Sequence, residues 1–161
     1  MNWQGHYHGY GPWVGDIKDY SREGERRPGP AVEGLGTPGV LLPEHKKQVD
    51  YFIEDKRPPM MTAHWLLKRG QTSSARTWTD PAEAISWLEI IYAENPPYER
   101  PDNLLAYAPL SVKVSYAHEV LPLGVDVTWA YYLKSKSFLS ASVVACKNRL
   151  FPNIPCPLPP A

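Results

Sequence analysis

Cysteine is scarce in this 161-residue chain, and Cys146 and Cys156 are too few for a disulfide framework. In a reducing compartment both stay thiols, and only an oxidising one would allow a single bridge between them. Net charge is missing as well: 17 basic residues offset 17 acidic ones. No overall field draws the chain to nucleic acid or to an acidic membrane surface, which argues against a polyanion binder. No run approaches the ~20 apolar residues of a membrane span, and the start Met-Asn-Trp-Gln-Gly-His lacks the basic and apolar segments of a secretory signal. The expectation is a soluble, cytoplasmic protein with no membrane partner. Internal repeats are also absent.

What is abundant is unevenly placed. Nine of the 11 glycines precede residue 40, among Pro12, Pro28, Pro30 and Pro38. The stretch "REGERRPGPAVEGLGTPG" alternates charge and turn formers, so it cannot bury enough surface to offset the entropy of ordering. Residues 1–40 are therefore expected to form an extended arm. Its rings Trp3, Tyr7, Tyr10, Trp13 and Tyr20 are apolar payloads that need a host surface, on the same domain or on another subunit.

Residues 41–148 read as one α+β domain. In "PEHKKQVDYFIEDKR", Val49, Phe52 and Ile53 make one narrow stripe on a short helix. The segment "TAHWLLKRGQTSSARTWT" suggests two strands around a Gly70 turn. In "TDPAEAISWLEIIYAENPP", Asp80 is an N-cap, Pro81 opens the helix, and Ala84, Trp87, Leu88 and Ile91 form a face broadened by Ile85 and Tyr92. Three alternating runs follow, "SVKVSYA", "VDVTWAYY" and "FLSASVVAC", which predict an antiparallel meander. The expected architecture is an antiparallel sheet of about five strands, a hairpin plus a C-terminal three-strand meander, covered by one main helix. A short N-terminal helix and extended N- and C-terminal arms complete it. Residues 149–161 form a proline-rich tail, expected to pack Leu150, Phe151, Ile154 and Leu158 over the sheet.

Chemistry-bearing residues are sparse. His6 and His8 stand two apart, on one side of an extended segment, but zinc wants about four ligands. The nearest other soft ligands, Cys146 and Cys156, lie at the far end of the chain, and nothing local brings the termini together. The expectation is therefore no metal and no cofactor, with both histidines polar members of the aromatic arm. Cys146, His118 and Asp126 could in principle act as nucleophile, base and orienter, yet no local signature surrounds the cysteine, which suits a buried structural thiol. Lys134 and Lys136 beside Tyr131, Tyr132 and Phe138 supply too few cations for much phosphate affinity, and "GLGTPG" lacks the lysine of a phosphate loop. Acidic residues gather at Asp80, Glu83, Glu89, Glu94, Glu99 and Asp102, as a solvated helix face would have them.

These features point to a non-enzymatic protein–protein interaction or assembly protein. It would contact a protein partner or a second copy of itself through Trp3, His6, Tyr7, His8, Tyr10, Trp13 and Tyr20 and through the proline-rich tail. The alternative is a small enzyme or ligand-binding domain with a pocket for a small molecule near His118, Glu119 or Cys146.

Overall fold

The computed structural model describes residues 3–29, 43–102, 104 and 107–161. The expected residues 30–40 of the arm, including "GLGTPG", lie outside them. Its regular elements are strand β1 (His6–Gly15), a helical turn α1 (Ile17–Tyr20), helix α2 (Pro43–Glu54), strand β2 (Thr77–Trp78), helices α3 (Pro81–Glu94) and α4 (Leu110–Val120), and strands β3 (Val127–Tyr132) and β4 (Phe138–Cys146). The strands form one antiparallel sheet in the order β2-β1-β4-β3. The class is α+β, with four strands among the described residues rather than about five, and several helices rather than one main helix and a short N-terminal one.

The largest departure from expectation concerns the front of the chain. Residues 6–15, assigned to an arm, are an inner strand paired on both sides, to β2 through Tyr7 and His8 and to β4 along most of its length. Its glycines answer to packing. A Cβ on Gly9 would sit 2.8 Å from the Trp78 ring and 3.1 Å from the Trp87 ring, so the missing side chain lets two indoles lie on the strand. Gly11, at φ +90, sits where the register shifts between Tyr10 and Trp13.

Two other segments also differ. "SVKVSYA" lies within α4 instead of a strand, because Leu110, Val114, Ala117 and Leu121 recur at helical spacing and reach the core. Val112 and Tyr116, two of the residues whose alternation suggested a strand, face outward. The C-terminal meander is accordingly a two-strand hairpin. Residues 62–76 hold no hairpin but three short 3₁₀ segments, Thr62–Leu67, Arg69–Gln71 and Ser74–Arg76, of which the first buries Ala63, Trp65, Leu66 and Leu67. Helix α2 does match its reading: Val49 and Phe52 are buried with Leu67. Past its C-terminus the buried ammonium of Lys68 donates to the carbonyls of Asp55 and Arg57, and burial pushes its pKa down to about 8.

Strand β4 is covered on both sides. Leu139, Ala141, Val143 and Ala145 join Ala84, Ile85, Leu88 and Ile91 of α3, Ala117 of α4, and Val127, Trp129 and Tyr131 of β3 in the main core. Burying each large aliphatic side chain of this set contributes roughly 1.5–3 kcal/mol. Helix α3 begins as predicted, with the Asp80 carboxylate accepting from Ala82 N at 2.9 Å. The opposite face of β4, Ser140, Ser142, Val144 and Cys146, turns toward Tyr10, Trp65, Leu66 and the proline-rich tail.

Candidate metal centre

Strand period decides which β1 side chains share this second face. Tyr7 faces the main core, where its hydroxyl donates to Leu121 O at 2.8 Å, while His6, His8 and Tyr10 alternate to the other side. The register of β1 against β4 then sets His6 directly opposite Cys146. The tail returns along the same face, with Ile154 packed into the Tyr10–Trp65–Val144 cluster and Arg69 donating to Cys156 O at 3.2 Å. Thus the two ends of the chain meet, and His6, His8, Cys146 and Cys156 converge with their ligand atoms all within 4.8 Å of one another.

The spacing of three of the four ligand atoms matches tetrahedral coordination. The two Nε2 atoms are 3.1 Å apart, and Cys156 Sγ lies 3.3 Å from His6 Nε2 and 3.6 Å from His8 Nε2. A tetrahedral zinc with ordinary Zn–N and Zn–S bonds has edges of about 3.3 Å between nitrogens and about 3.6 Å between nitrogen and sulfur. His6, His8 and Cys156 therefore present three of the ligand atoms at the spacing of one face of a zinc-sized tetrahedron, and the Cys146 sulfur lies within 4.8 Å of all three.

A neighbouring hydroxyl fixes the tautomer of His8. Thr77, its cross-strand neighbour on β2, donates its one hydroxyl proton to Ser73 O at 2.9 Å. At 2.9 Å from His8 Nδ1, Thr77 Oγ1 must then accept, so Nδ1 carries the proton and Nε2 presents a lone pair to the cluster. Burial, with His6 beside it, pushes the His8 pKa down to about 4, and burial also lowers that of His6. Both rings are therefore neutral near pH 7, as ligation requires. Burial and the adjacent Cys156 push the Cys146 thiol up to about 12, so a metal arriving there must displace its proton. Among the described residues the buried Tyr10 hydroxyl has no hydrogen-bond partner, and Tyr10 shares one packed cluster with both cysteines. A thiolate could accept from such an orphaned donor.

The remaining residues expected to form an aromatic arm all pack on their own domain. Trp3 donates from Nε1 to Lys147 O at 3.2 Å and leans on Tyr7; Tyr10 stacks on Trp65 with ring centroids 5.0 Å apart. Trp13, Tyr20 and Phe138 form a chain of ring contacts, and the Arg26 guanidinium sits 3.9 Å from the Tyr20 centroid.

The residues of the enzymatic alternative sit in different settings, with Cys146 buried on β4. His118 and Glu119 are exposed on the last turn of α4. Asp126 accepts from Ala145 N at 2.8 Å and from the Asn148 amide at 3.1 Å, which defines a structural role for that carboxylate. A cavity of about 880 Å³ lies elsewhere, lined by Tyr98, Arg100, Tyr132, Leu133 and Lys136, and no member of the four-residue cluster borders it. In the tail, Phe151 packs against His64, but Leu150, expected to pack, is exposed.

The signal for the cluster was present as His-x-His and two cysteines, but the β1–β4 pairing that unites them leaves no mark in any single window of sequence. No family model matches the chain, and neither a curated protein nor a solved structure matches it.

Proposed function

We propose that this protein is a non-enzymatic zinc-binding domain in which one metal ion joins the first strand, the end of the last strand and the proline-rich tail. The observation that carries this reading is the convergence of two imidazole nitrogens and two thiols within 4.8 Å of one another, three of them at the edge lengths of a zinc tetrahedron. His₂Cys₂ is a donor set suited to zinc and poorly suited to magnesium or calcium, which favour oxygen. Four protein ligands fill a tetrahedral ion and leave no position for substrate, so the metal's role is structural. Reduced protein purified with zinc should carry one ion per chain by elemental analysis, and His8→Ala or Cys146→Ser should carry none. Zinc-free wild type after such loading would overturn the reading.

A second reading, compatible with the first, retains an interaction or assembly role but moves it away from the front of the chain. Its support is the outer face of α4, where Val112 and Tyr116, one helical turn apart, are 55% and 54% exposed. Light scattering of wild type and Tyr116→Glu tests it. A mass above the monomer that falls in the variant supports self-association, and a monomer in both excludes it.

A further inference from the structure

The proposed zinc centre is asymmetric, and the asymmetry points to how it would be opened. His8 and Cys146 are buried on paired strands, at 0% and 1% exposure, whereas His6 and Cys156 are partly exposed. Cys156 lies on a segment without regular secondary structure, which is free of the ladder that fixes Cys146. Both sulfurs belong to a cluster whose ligand atoms lie within 4.8 Å of one another, so a small shift of the tail, without unpairing a strand, brings them to bonding distance.

Resting on the zinc reading, we infer that the centre is also a thiol switch: hydrogen peroxide oxidises Cys156 and Cys146 to a disulfide, and the metal leaves. In the first step the accessible Cys156 sulfur attacks the peroxide, an S–O bond forms, the O–O bond breaks, and hydroxide departs. In the second step the Cys146 sulfur attacks the Cys156 sulfur, an S–S bond forms, the S–O bond breaks, and a second hydroxide departs. Each sulfur has then lost one electron, the peroxide has gained two, and two protons from solvent convert the hydroxides to water. A disulfide is a far poorer zinc ligand than two thiolates, and two imidazoles alone hold the ion weakly. The tail stays fastened to β4, now covalently, so the switch releases the ion while the fold persists.

The test uses full-length, zinc-loaded protein treated with equimolar hydrogen peroxide. Released zinc is followed with a chromogenic chelator, disulfide by intact mass, and fold by circular dichroism. The expected result is zinc release in step with the loss of two hydrogens from the chain, near-native ellipticity, and recovery of both thiols and zinc after reduction. Cys156→His keeps four nitrogen or sulfur donors but removes the second thiol, so a zinc-loaded variant should release its ion at least tenfold more slowly. Zinc uptake by wild type followed by retention of the ion, or by overoxidation of Cys156 without a disulfide, overturns the switch alone. Equal release from wild type and zinc-loaded Cys156→His also overturns it. Failure of reduced wild type to take up zinc overturns the metal reading beneath it.

Discussion

The two faces of the sheet are built on different principles. One is covered by α3 and α4, whose apolar stripes meet Leu139, Ala141, Val143, Trp129 and Tyr131 in a continuous core. The other carries the buried polar side chains His8, Ser140 and Ser142 and is covered by short 3₁₀ segments and a proline-rich tail. A helix satisfies its own backbone and needs only apolar area to dock. Irregular cover must satisfy its polar groups one at a time, as Thr72 does by donating to Gly9 O at 3.0 Å and Arg76 by donating to Gly11 O at 3.0 Å. Hydrophobic area therefore holds the first face, and the second relies on specific polar bonds and, in our proposal, on a metal.

That contrast can be broken most forcefully at the metal. With zinc held near a thousandfold above its dissociation constant, binding stabilises the fold by about 4 kcal/mol. Chelation should therefore lower the melting temperature by roughly 10 °C in a chain of this size. Cys146→Ser should melt at the same temperature with and without chelator, and a chelator effect of equal size in that variant would show that the ion acts elsewhere. Leu88→Ala, at a fully buried site on the helical face, should cost about 2–5 kcal/mol by chemical denaturation, with or without zinc. A cost that vanished on chelation would mean that the two faces do not contribute independently.

Smaller effects sharpen the boundary between the faces. Gly9→Ala drives a methyl group into the Trp78 and Trp87 rings and should cost about 1–3 kcal/mol, read from the urea midpoint. Metal-free protein should also lose stability as the pH falls from about 6.5 to about 4. In that window the unfolded chain protonates its histidines, while folded His8, held down to about 4, and folded His6, also lowered, resist. Unfolding is thereby favoured progressively, and the contribution is fully present only above the unfolded value. Asp126, whose carboxyl burial holds up, works in the opposite direction, so comparison with His8→Phe isolates the histidine contribution. A wild-type urea midpoint no more pH-dependent than that of the variant would contradict the assignment. The smallest effect is at the cap of α3, where Asp80→Ala should cost about 1 kcal/mol and leave zinc content unchanged.

What could be read from the sequence follows from how local each signal is. Helix α3 was legible because Asp80, Pro81 and the stripe Ala84–Leu88–Ile91 all lie within one window, and the two faces of β4 were legible from strict alternation. Helix α4 was not, because Val112, Val114 and Tyr116 fit period two while Leu110, Val114 and Ala117 fit the helical period, and only the core shows which set is buried. Strand β1 was hidden by its glycines, which read as backbone freedom until the indoles of Trp78 and Trp87 are seen lying on Gly9. The metal-ligand candidates were all visible as residue types. Their union depends on pairing residue 6 with residue 146, a non-local contact that sequence spacing alone does not specify.

The central claim is that one ion is held by two imidazoles and two thiolates drawn from both ends of the chain. X-ray absorption at the zinc edge of reduced, zinc-loaded protein measures that coordination directly. The account predicts two nitrogen scatterers at about 2.0 Å with imidazole outer-shell features and two sulfur scatterers at about 2.3 Å. A shell of oxygen and nitrogen without sulfur would contradict it.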